Sequence, residues 1–141
     1  MNDSKVFLDT SGLVALVDRG GKEAHDRAKE VMNGLREQRA RFVTTDDVVV
    51  EASNLAAKHF SWKQKVGLVE LVLGWQGDGE LDLVHVDGGL FDRASDLMKK
   101  RSDKKWGLTD CACFVVMNER GIRRAFTLDK HFVQAGFHKM L

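Results

Sequence analysis

Along the whole chain, short apolar runs of strand length alternate with longer segments whose apolar residues recur at helical spacing. That alternation restricts the fold more than any other feature, because strand–helix–strand units build a mainly parallel sheet with helices on both faces. Residues 5–9 read as a short buried strand, VFL, stopped by Asp9. Thr10, Ser11 and Gly12 read as a turn, Leu13, Val14, Leu16 and Val17 open a helix, and Gly20 and Gly21 break it. Residues 22–38 read as an amphipathic helix with Ala24, Ala28, Val31, Met32 and Leu35 on one face. A second strand is expected over 41–44, then a helix capped by Asp46 or Asp47 and running to about His59. Ser61 caps the next helix, which carries Val66, Val69, Leu71, Val72 and Leu73 to Gly74. After a turn at 76–80, residues 81–86 alternate like a strand and residues 87–101 like a helix bearing Leu90, Phe91, Ala94, Leu97 and Met98. Thr109 is the expected cap of a helix ending near Glu119, with Gly121 as its C-terminal glycine. A strand over 124–127, a short helix over 129–135 and a last strand over 137–140 complete an α/β domain of four to five short strands.

At 141 residues, 43% hydrophobic and 30% charged, the chain has the size and composition of one globular domain with a sizeable core. It contains no repeat, linker or low-complexity tract. The apolar runs are too short for a membrane span or a signal peptide, so a cytoplasmic location is expected. Cys111 and Cys113 are two apart on an expected helix and point to different sides, which disfavours a disulfide and leaves them as small core residues. The five histidines show no HxH or HExxH spacing, and none is assigned as a ligand. A net charge of +1 decides nothing about nucleic acid, because an acidic metal site cancels basic residues elsewhere in the sum.

Four acids stand where such a fold normally puts core: Asp9, Glu51, Asp110 and Asp129. Asp9 and Asp129 each follow an expected strand, and ligands of open α/β sheets bind beyond the carboxyl ends of the strands. Glu51 shares a helical stripe with Val48, Ala52 and Leu55, while Asp110 precedes Cys113, Phe114 and Met117 on one side of its helix. Four converging carboxylates repel one another unless a cation joins them, and an all-oxygen donor set selects Mg²⁺ or Mn²⁺ over zinc. Phosphodiester hydrolysis suits such a site. Capping competes with this reading, since Asp at a strand end and Asp or Glu in a first helical turn are favoured by the helix dipole.

The segments FLDTSGLVALVDRG, TTDDVVVEASNL, LTDCACFVVMNERGI and RAFTLDKHFVQAGF resemble the PIN-domain family, and are most similar to its VapC ribonuclease branch in type II toxin–antitoxin pairs. The matching motifs span nearly the whole chain, in order. The resemblance implies a single PIN-like domain over 1–141 that binds Mg²⁺ or Mn²⁺ at Asp9, Glu51, Asp110 and Asp129 and cleaves RNA, leaving a 3′-hydroxyl and a 5′-phosphate. It implies Asp9 and Asp110 as principal metal ligands, Glu51 as ligand or base, and Asp129 as a second-metal or water-holding residue. It also implies a cognate antitoxin and a homodimer. Ser11 and Thr127 are candidates to hydrogen-bond the ligands, although turn and strand duties explain them equally.

Lys99, Lys100, Arg101, Lys104, Lys105 and Trp106 either grip RNA phosphates and stack a base or form a solvated helix end with the indole packed inward. Arg123, Arg124, Lys130 and His131 flank Asp129 and pose the same choice. Trp62 and Trp75, with Val66, Val69 and Leu73, are either core or an exposed oligomer or antitoxin face. Asp18, Asp26, Asp78, Asp82, Asp92, Asp96 and Asp103 read as solvated or capping. Rival functions are an RNA-processing PIN nuclease without an antitoxin and a non-catalytic RNA-binding module. An aspartyl phosphatase fits less well, because Ser11 stands where that chemistry usually wants a second Asp.

Overall fold

The computed structural model describes residues 4–56 and 60–141. Five parallel strands, β1 (Lys5–Leu8), β2 (Arg41–Thr45), β3 (Leu81–Val84), β4 (Arg124–Phe126) and β5 (His138–Lys139), form one sheet in the order β3-β2-β1-β4-β5. The expected mainly parallel α/β architecture is therefore what the chain adopts. β1 lies at the centre, which is why VFL is continuous rather than alternating: Val6, Phe7 and Leu8 are all buried, with helices available to both faces.

The helices are α1 (Thr10–Val17), α2 (Lys22–Glu37), α3 (Asp46–Ala56), α4 (Trp62–Gly77), α5 (Gly88–Lys100), α6 (Leu108–Arg120) and α7 (Lys130–Gln134). The first four pack on one another, as do α5, α6 and α7. The chain builds outward from β1 to β2 to β3, then crosses back to place β4 on the other side of β1. With right-handed crossovers, that reversal puts the two helix groups on opposite faces and opens a crevice between the carboxyl ends of β1 and β4.

Several boundaries differ from the sequence expectation for local reasons. α1 begins at Thr10 rather than after a Thr10–Gly12 turn. α3 is capped by Thr45, whose Oγ1 accepts the Val48 N–H at 3.1 Å, while Asp46 instead accepts the Val86 N–H at 2.9 Å and ties α3 to the end of β3. The expected last turn of α3, residues 57–59, lies outside the described residues. Ser61 caps α4 as expected, in a reciprocal box with Gln64. α4 runs on past Gly74 to Gly77. α6 starts from Gly107 rather than from a Thr109 cap, and ends on Gly121 at φ +67°.

The two tryptophans of α4 part company: Trp75 is buried against the Phe42 ring, with centroids 5.5 Å apart, whereas Trp62 is 74% exposed. Trp106 packs inward, edge-on to Phe114 at 4.9 Å and hydrogen-bonded through Nε1 to Gln134, so its indole is not available to stack a base. Both cysteines are free and buried. Among the described residues, no helix is long and apolar enough to cross a membrane.

Candidate active site

The end of β1 delivers Asp9 into the crevice, and the turn after β4 delivers Thr127 and Asp129 beside it. Asp9 is only 5% exposed. Thr127 Oγ1 donates to its Oδ2 at 2.7 Å, and Ser11 Oγ lies 3.2 Å from the same oxygen and 3.1 Å from Thr127 Oγ1. Thr127 Oγ1 in turn accepts the Asp129 N–H at 2.9 Å, and Ser11 Oγ accepts the Leu128 N–H at 2.9 Å. Each hydroxyl thus uses its proton and its lone pairs to lock the β1 and β4 ends together around one carboxylate. Burial nevertheless dominates: desolvation, with the nearby Asp110 charge adding to it, pushes Asp9 up to about 6 against the hydrogen bonds from Thr127, Thr10 and Ser11.

Asp110 stands in the first turn of α6, where its Oδ2 accepts the Gly107 N–H at 3.1 Å. Asp129 caps α7, its Oδ1 accepting the His131 N–H at 2.9 Å. Capping and site duty coincide in both residues: each carboxylate is held by its helix start and still faces the crevice. Glu51 departs from expectation, being exposed rather than buried with Val48 and Ala52. At about 100° per residue it lies on the flank of that stripe, at the rim of the crevice.

Asp9, Glu51, Asp110 and Asp129 all line one cleft of about 420 Å³, together with Thr10, Ser11, Val14, Leu55 and Leu128. Sequence reasoning left two residues out of the acidic site, His131 having been named only as a candidate RNA contact. Asp18, set aside as solvated, also lines the cleft, while its Oδ1 accepts the Gly20 N–H at 3.0 Å. His131 Nδ1 lies 3.1 Å from Asp110 Oδ2 and 3.5 Å from Asp129 Oδ1. Asp110, Asp129 and His131 each offer a ligand atom within 4.8 Å of the others, a tight group that includes neither Asp9 nor Glu51. The only advance signal for His131 was its place two residues after Asp129.

The donor set fits a hard divalent cation. Among the described residues the cleft lining holds five carboxylates, counting Asp18, and no lysine or arginine. The buried Cys113 thiol behind it is pushed well up, by desolvation first and then by Asp9, Asp110, Glu51 and Asp47. Thr10 Oγ1, buried at the cleft wall, has no hydrogen-bond partner among the described residues.

The sequence matches the PIN domain family over residues 6–138. The chain belongs to the PIN domain family. Two curated relatives, the 23S rRNA-specific endonuclease VapC20 of Mycobacterium tuberculosis strains CDC 1551 and H37Rv, are each 24% identical over 132 residues, 94% of this chain and 95% of theirs. The crystal structure of M. tuberculosis VapC20, described as a sarcin–ricin loop cleaving toxin, superposes with a TM-score of 0.82 at 24% identity, covering 94% of this chain and 95% of that one. That likeness shows that this PIN domain shares the VapC20 fold.

Proposed function

We propose that this PIN domain is a Mg²⁺- or Mn²⁺-dependent endoribonuclease, the toxin of a type II toxin–antitoxin pair. One observation carries the reading: Asp9, Glu51, Asp110 and Asp129, from four distant segments, line a single cleft at the carboxyl end of the sheet, and among the described residues no lysine or arginine lines it to balance them. Asp9, Asp110 and Asp129 would hold the cation, with Asp9 oriented by Thr127 and Ser11. Bound there, a divalent ion supplies Lewis-acid polarisation of the phosphodiester and positive charge for the leaving oxygen. Glu51, the most solvent-accessible of the four acids, takes the proton from the attacking water. Attack by water releases a 3′-hydroxyl and a 5′-phosphate.

The names of the relatives make 23S rRNA, and its sarcin–ricin loop in particular, the first substrate to test. A single domain over 1–141, a cytoplasmic location, a second copy of the chain and a protein antitoxin complete the proposal; a small reading frame beside the gene is the expected source of the antitoxin. The test is cleavage of purified ribosomal RNA with Mn²⁺ by wild type, Asp9→Asn and Asp110→Asn, alongside calorimetric titration of Mn²⁺. Cleavage and saturable binding, both lost in the variants, support the assignment. Cleavage retained in both folded variants sinks it, and RNA binding without cleavage or Mn²⁺ binding returns the non-catalytic module.

A further inference from the structure

Helix α7 is short, and its position is set by Phe132, which is fully buried with its ring 5.0 Å from Phe114 and 6.5 Å from Phe7. Phe114 lies on α6 one turn after Asp110, on the same face. The packing that joins Phe114 to Phe132 therefore also brings Asp110 to the neighbour of Phe132, which is His131. The His131 N–H caps onto Asp129, so one backbone segment fixes both the imidazole and a carboxylate. Its ring is one-quarter exposed, with Nδ1 between Asp110 and Asp129.

We propose that His131 is itself a metal ligand, giving Nδ1 to the same ion as Asp110 and Asp129. The inference rests on the acidic-site reading above and adds to it a nitrogen donor. Neither carboxylate depends on the ring for its hydrogen bonding, since Asp110 Oδ2 has the Gly107 N–H and Asp129 Oδ1 has the His131 N–H. Nor does the ring suffice as a counter-ion: an imidazolium would offset one charge in a cleft lined by five carboxylates. The three ligand atoms already lie within 4.8 Å of one another, close to the span across an ion with bonds of about 2.1 Å. A mixed nitrogen and oxygen set favours Mn²⁺ over Mg²⁺, because imidazole suits transition metals better than Mg²⁺. His131 is thus a specificity determinant for the metal.

Pulsed electron paramagnetic resonance of Mn²⁺ bound to the full chain reads this directly. In wild type we expect ¹⁴N modulation from a directly coordinated imidazole, replaced by the ¹⁵N pattern when the protein is labelled with ¹⁵N-histidine. In His131→Gln the modulation disappears, Mn²⁺ affinity falls about tenfold or more, and Mg²⁺ affinity changes much less. The labelled wild type keeps the test decisive if the variant does not fold. Bound Mn²⁺ in wild type with no nitrogen coupling overturns the proposal while leaving the acidic site intact. Absence of Mn²⁺ binding, or binding unchanged in Asp110→Asn, overturns both.

Discussion

Thr127 Oγ1 donates a 2.7 Å hydrogen bond to Asp9 Oδ2 across 118 positions of sequence, joining the ends of the two strands that flank the crevice. Even so, burial keeps the Asp9 carboxyl protonated to about pH 6, against 3.8 in an unfolded chain. Between those values the folded chain binds more protons than the unfolded one, so its stability falls as pH rises. Metal-free wild type is expected to lose about 2 kcal/mol from this group between pH 4 and pH 7. Asp9→Asn should remove most of that slope and be the more stable protein at pH 7.5. Urea unfolding of both in the presence of a chelator checks it; parallel pH profiles would place the carboxylate in a better-solvated setting.

Replacing Thr127 with Val leaves Asp9 without its shortest hydroxyl bond and the Asp129 N–H without its acceptor. A stability loss of about 1–3 kcal/mol is expected from unsatisfied buried groups. Cleavage should fall together with Mn²⁺ affinity, because the carboxylate loses its orientation. Unchanged Mn²⁺ affinity in a calorimetric titration would reduce Thr127 to a strand residue.

Gly12 faces β4 so closely that a Cβ would overlap the carbonyl oxygen and ring of Phe126. Gly12→Ala should therefore cost about 1–3 kcal/mol by overpacking, despite the gain in helix propensity at a position inside α1. Thermal unfolding at fixed pH measures it, and a rise in Tm would contradict the close approach.

Trp106→Ala should cost about 3–5 kcal/mol, the usual loss for a buried indole. Its surroundings explain the size: the Phe114 ring at 4.9 Å, the Arg101 guanidinium 5.0 Å above the ring and the Gln134 hydrogen bond. Equilibrium unfolding together with RNA binding of the folded fraction tests this. Full stability with weakened RNA binding would restore the indole to the substrate.

What the sequence made legible follows from how strongly each pattern is forced. VFL before Asp9 is readable because a central parallel strand is apolar on both faces. The four carboxylates stood out because each breaks or borders such a pattern. α4 was not readable at the level of faces: apolar residues surround it, from Trp62 through Val66, Leu68, Val69, Leu71 and Val72 to Trp75, and only contact with Phe42 decides that Trp75 is inside. Glu51 sat in the right helix but was misjudged as buried, since a position on the edge of a stripe differs from its centre by less than one residue of phase. His131 was named only as an RNA contact and not with the acids, because its partners come from α6 and the turn before α7, and no local spacing encodes a group assembled by the packing of Phe114 on Phe132.

The proposed function stands or falls with RNA cleavage at the carboxylate cleft. Mapping of new 5′-phosphate RNA ends across the transcriptome after brief induction in a bacterial host, for wild type and Asp110→Asn side by side, tests it most directly. Ends at a few sites, ribosomal RNA among them, are expected with wild type only. Soluble, folded wild type that produces no ends beyond those of Asp110→Asn would contradict it.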